Sequence, residues 1–157
     1  MNVTLLAVGK TEISWVKEGL ELYVSRLRHY VPFKLEEIPH LKGAAALSEQ
    51  TIKEKEGEII LSKLRPGDNV ILLDEHGKEY RSVEFSQYLE KLISRSSQDI
   101  VFIIGGAYGF SQAVYGRANS MLSLSKMTFS HQMVRAVFAE QLYRAFTIMK
   151  GEPYHHE

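Results

Sequence analysis

Short apolar runs alternating with amphipathic stretches constrain this chain more than any other feature. Val70 to Leu73 and Ile100 to Ile104 carry no polar residue, as expected of strands buried on both faces. Val3 to Val8 ends at Gly9, and Val16, Leu20, Tyr23, Val24 and Leu27 then recur at helical spacing, with Ser14 placed to cap. Phe33 to Ile38 alternates between Pro32 and Pro39. Leu47 to Leu64 is rich in Lys and Glu and stops at Arg65-Pro66-Gly67, and Val83 to Ile93 is amphipathic. This order predicts an α/β fold with a mostly parallel sheet flanked by helices. Ligands of such sheets sit beyond the carboxyl ends of strands, so the loops after Leu73 and Ile104 are the first places to look.

At 157 residues the chain is long enough for one domain, 1–157, with its own core. Lys plus Arg number 19 and Asp plus Glu number 19, so contact with RNA would need a local basic patch rather than bulk attraction; Arg26, Arg28, Lys34, Arg135, Arg144 and Lys150 are candidates. The absence of cysteine excludes disulfides, thiolate metal sites and a Cys nucleophile. The six His show no metal-binding spacing, so no metal is expected. Met1 to Val8 lacks the basic and small-residue flanks of a signal peptide. No apolar stretch approaches the roughly 18–20 residues of a membrane span. A soluble, cytoplasmic protein is expected.

Three segments carry possible chemistry. Ile103-Ile104-Gly105-Gly106-Ala107-Tyr108-Gly109 runs from a strand into a glycine-rich turn, where missing side chains let a ligand approach the backbone; a plain tight turn would read the same. It is not GxGxxG, and no acid follows between Phe110 and Ala139 to hold ribose hydroxyls, which counts against a nicotinamide dehydrogenase. Leu122 to His131 alternates and then becomes rich in hydroxyls, as an edge strand and cap loop would, but its amides and hydroxyls could also enclose a neutral or cationic nucleoside. Glu140 and Arg144 have the spacing of a helix ion pair. Gly151-Glu152-Pro153-Tyr154-His155-His156 places an aromatic and two imidazoles after a stiffened helix exit. The last helix, about Gln132 to Met149, has an apolar stripe of Val134, Val137, Phe138, Leu142, Ala145, Phe146 and Met149, with Met133, Ala136, Ala139 and Tyr143 outside it. Such a helix needs a second surface, supplied by another subunit or by deep packing within the chain.

Ile104-Gly105-Gly106, Ser123 to Phe129, His131, Val134-Arg135, Glu140 to Ala145 and Pro153-Tyr154-His155, in this order, resemble the ribosomal RNA large subunit methyltransferase H family of the SPOUT class. The resemblance runs from Leu6-Ala7-Val8-Gly9-Lys10 to the end of the chain. It implies a SPOUT-type fold with a C-terminal trefoil knot, a rare exception to ordinary topology, and a homodimer. It further implies methylation of N3 of a pseudouridine in helix 69 of 23S ribosomal RNA, on assembled ribosomes, with S-adenosyl-L-methionine as donor. By the resemblance the cofactor lies against Leu73, Gly105, Leu124, Ser125, Lys126, Met127, Thr128 and Phe129. The partner's tail closes the site.

On that basis catalysis is expected to involve His155, Tyr154, Glu140 and Arg144. His155 would accept the imide proton or stabilise the developing oxyanion, and Glu140 would orient Arg144. Arg135 and His156 are expected at the RNA. Two departures stand out. Ser130 occupies a position where many relatives have Pro, and His156 replaces a common Arg or Lys, making a fixed charge pH-dependent. The alternatives are a ribosome-binding module without catalysis and a nucleotide-dependent enzyme using the Gly105 to Gly109 turn for phosphates; GxxxxGK[ST] is absent.

Overall fold

The computed structural model describes residues 1–156. Its strands and helices alternate: β1 Val3–Val8, α1 Ser14–Leu27, β2 Phe33–Ile38, α2 Glu49–Ser62, β3 Asn69–Glu79, α3 Ser82–Arg95, β4 Ile100–Ile104, α4 Gln112–Arg117, β5 Ser120–Ser123 and α5 Met133–Met149. The strands form one parallel sheet in the order β2-β1-β4-β3-β5.

Both sheet faces are covered, which is why the strand sequences do not alternate. Val3, Leu5, Ala7, Ile71, Phe102 and Ile104 pack against α1, α3 and α5 through Leu20, Val24, Phe85, Leu89, Phe138 and Leu142. Leu6, Val8, Val70, Leu72, Val101 and Ile103 pack on the other side with Ile60 of α2 and Val114 of α4. α5 lies between α1 and α3, so one of its faces is buried inside the protomer.

Ser14 does not cap α1. It is the first helical residue, and no side chain caps from the Ile13 position. Gln132 serves instead from the far end of the sequence: its Oε1 accepts from the Glu12 and Ile13 amides at 2.8 and 3.4 Å, while its Nε2 donates to the Lys10 carbonyl at 2.9 Å. In α2 the cap is local, with Ser48 Oγ accepting from Thr51 N.

β3 continues six residues past the apolar run, to Glu79, and its pairing with β5 shifts register between Leu73 and Lys78. Gly77 makes this possible, because a Cβ there would lie 2.7 Å from the Leu122 backbone. α4 and a 3-10 turn at Ala44–Ala46 carry no apolar periodicity long enough to read from sequence. No helix among the described residues is long and apolar enough to cross a membrane.

Candidate active site

A cleft of about 580 Å³ opens beyond the carboxyl ends of β3, β4 and β5. Its walls are residues 73–76, 104–110 and 122–131, joined by Tyr115 and Val134; Lys126, Gln132 and Met133 stay outside the lining. The structure therefore brings Leu73, Gly105, Leu124, Ser125, Met127, Thr128 and Phe129 together, and leaves Lys126 out. The glycine turn is sterically required. A Cβ at Gly105 would lie 3.1 Å from the Phe110 ring, one at Gly106 would lie 2.8 Å from Glu56 Oε1, and Gly109 has φ +84°. Ser130, where proline would supply no side-chain acceptor, takes the Met133 amide on its hydroxyl at 3.0 Å and so starts α5.

Charge distinguishes this cleft. Among its lining residues Asp74 and Glu75 are carboxylates, and none is Lys or Arg. Asp74 Oδ2 accepts from the Tyr115 hydroxyl at 2.5 Å, and its Oδ1 accepts from the His76 amide at 2.9 Å and contacts His76 Nδ1 at 3.0 Å. Burial alone would raise its pKa, but these bonds outweigh it and hold the carboxyl below its ordinary value. Tyr115 is pushed up to about 12, by burial first and then by its bond to Asp74. Glu75 accepts from Thr128 Oγ1 at 3.1 Å, tying two walls together. Burial, aided by Arg135 and His40, pushes the His131 imidazole below its ordinary range, favouring the neutral ring. A cleft so charged repels phosphate, which removes the support for a nucleotide-phosphate site at Gly105 to Gly109. Sequence reasoning passed over Asp74, Glu75 and Tyr115. The available signal was the acidic pair directly after Leu73, at the end of a buried strand.

Arg135 does not face RNA. It is fully buried, and its guanidinium donates to the carbonyls of Val8, Gly9 and His131 at 2.8, 2.7 and 2.8 Å, to Thr11 Oγ1 at 3.0 Å and to Glu37 at 3.2 Å. All three guanidinium nitrogens are engaged inside the protein and the side chain has no exposed surface, so it does not present itself to a phosphate. A lone Arg in an amphipathic helix reads as surface charge; only the fold shows that α5 begins over the end of β1.

The tail folds back on α5. Glu140 Oε1 accepts from Arg144 Nε at 3.0 Å and Nη2 at 2.6 Å, and the Arg144 guanidinium lies 4.9 Å from the Tyr154 ring centroid. Tyr154 also meets Tyr143 edge-on at 4.8 Å, and its pKa is pushed up to about 12, chiefly by burial. Arg144 Nη1 and His155 Nδ1 are 3.0 Å apart. Since Arg can only donate, Nδ1 accepts and the neutral ring carries its proton on Nε2. Among the described residues that Nε2 is buried without a partner. None of Glu140, Arg144, Tyr154 and His155 lines the cleft of its own protomer. His156 is exposed.

A parallel sheet with an acid-lined cleft over the ends of its strands suits the binding of a neutral or cationic ligand, and sequence comparison specifies the class. Residues 1–155 match the family model described as "Predicted SPOUT methyltransferase", and the chain belongs to that family. It is similar along its whole length to proteins named "Ribosomal RNA large subunit methyltransferase H": 54% identical to that of Parabacteroides distasonis and 52% to those of Bacteroides fragilis and Flavobacterium johnsoniae, with 157 residues aligned and 100% of both chains covered in each case.

Proposed function

We propose that residues 1–157 form a single cytoplasmic methyltransferase domain. It works as a homodimer and transfers a methyl group from S-adenosyl-L-methionine to N3 of a pseudouridine in helix 69 of 23S ribosomal RNA on assembled ribosomes. The observation that carries this reading is the cleft: it has two carboxylates and no Lys or Arg in its lining, in a SPOUT-family chain. The names of full-length relatives support the RNA target.

The residues fit the donor. Its adenosine and methionine parts would lie among Leu73, the Gly105 turn and Leu124 to Phe129, where backbone amides and hydroxyls are accessible. When bound, S-adenosylmethionine supplies an electrophilic methyl carbon, so the protein's work is alignment and exclusion of water. As the N3–H proton passes to water, negative charge develops on the base oxygens. Support for His155 meeting that charge is that Arg144 occupies its Nδ1, which leaves the Nε2–H, unpaired among the described residues, as the donor once docking of the tail uncovers it. The arrangement supports stabilisation of the oxyanion over acceptance of the proton.

The same geometry supports the dimer. His155 and Tyr154 lie outside their own cleft, and the outward stripe of α5, Met133, Val137, Glu140, Arg144 and Ile148, is left uncovered or half-covered. Pairing two such stripes would bring each tail to the partner's cleft. The trefoil knot belongs to this reading too. From edge strand β5 the segment 124–131 passes over the ends of β3 and β4 to reach β1, where Arg135 anchors it.

Transfer of labelled methyl from S-adenosylmethionine to ribosomes lacking the modification, with mapping of the labelled base, tests the reading. Label in the helix 69 pseudouridine is expected, and label elsewhere or none rejects it. His155→Ala should lower turnover about 100-fold, and turnover at the unsubstituted rate removes His155 from the site.

A further inference from the structure

We propose that Asp74 is the residue by which the cleft tells the methyl donor from its demethylated product, its carboxylate favouring the sulfonium cation over the neutral thioether. The inference rests on the reading that the donor is S-adenosylmethionine.

Asp74 follows Leu73, the last residue of β3 paired with β4, so it lies where β3 runs on beyond the end of β4, inside the cleft lining. Its side chain is only 9% exposed, yet the groups that hold it, the Tyr115 hydroxyl and the backbone and ring nitrogens of His76, include no permanent cation. Among the described residues no Lys or Arg forms an ion pair with it. Its hydrogen bonds keep it ionised. The result is a negative charge, held in place by the Tyr115 hydroxyl and His76, at the wall of the cleft.

Methyl transfer changes the donor in one electrostatic respect. The sulfur goes from a cationic sulfonium to a neutral thioether, while the ammonium, carboxylate and adenosine stay the same. A carboxylate near the ammonium would bind both forms equally. One whose field reaches the sulfur would hold the donor and release the product, which aids turnover where release limits the rate. At the effective dielectric of a protein surface, attraction over several ångströms is enough for about a tenfold preference.

Calorimetric titration with three ligands tests this without any catalytic assay: S-adenosylmethionine, S-adenosylhomocysteine, and sinefungin, which carries an amine-bearing carbon in place of the sulfonium. The unsubstituted protein should bind both cationic ligands about tenfold more tightly than S-adenosylhomocysteine. Asp74→Asn should level the three. Equal affinities in the unsubstituted protein overturn the inference, and this measurement needs no variant to fold. An equal loss for all three ligands in Asp74→Asn also overturns it, by assigning Asp74 to the shared ammonium. Failure of the unsubstituted protein to bind any of them would instead count against the donor assignment.

Discussion

Glu56 shows what a single residue can cost. Its side chain reaches from α2 to the underside of the glycine turn, filling the space a side chain at Gly106 would need. The residue is 8% exposed, and among the described residues Oε1 has no hydrogen-bond partner. Burial raises its pKa above the ordinary 4.5, and His40 offsets only part of that. Because the folded-state value is the higher one, the folded state binds the proton more tightly than the unfolded chain. The resulting stability is fully present below about pH 4.5 and is lost as pH rises through the folded value. Glu56→Gln removes the charge and should stabilise the protein by about 1 kcal/mol at pH 8, with no gain at pH 4. Urea denaturation at the two pH values checks this, and a larger gain in acid would contradict it.

Among the elements, the joint between β1 and α5 holds the cleft together. Arg135 ties the start of α5 to the carbonyls that end β1, and Gln132 beside it caps α1. The segment 124–131 that walls the cleft is therefore fixed at its far end by one guanidinium. Arg135→Ala would leave Glu37 and several buried carbonyls without their donor, and a loss of about 3–5 kcal/mol is expected in urea denaturation. A phosphate-contacting arginine behaves differently: its loss would spare stability and reduce the salt dependence of RNA binding by about one unit.

For the whole molecule the outward stripe of α5 is decisive. Val137 lies mid-stripe and half-exposed, opposite the buried face of Phe138, Ala139 and Leu142. In the proposed dimer it meets its symmetry mate, so Val137→Glu places like charges at the centre of a self-complementary surface. The variant should sediment as a monomer, lose methyl transfer, and still bind S-adenosylmethionine within a few-fold of normal. A monomeric variant with full transfer would separate catalysis from pairing.

Read without coordinates, the chain determined four of its five strands, its longer helices and the loops worth inspecting, because these depend on local periodicity and on runs buried on both faces; β5, Ser120–Ser123, is too short to read and overlaps the segment Leu122 to His131 at only two residues. The segment Leu124 to Phe129 and the Gly105 turn were legible for the same reason, aided by family resemblance. Strand order, the caps borrowed across more than a hundred residues and the burial of Arg135 were not, since each depends on which distant segments meet. Asp74 was visible as a letter but not as a charge in a cleft. Whether a polar side chain serves water, the core or a ligand is set by its neighbours in space, and those only the tertiary structure supplies.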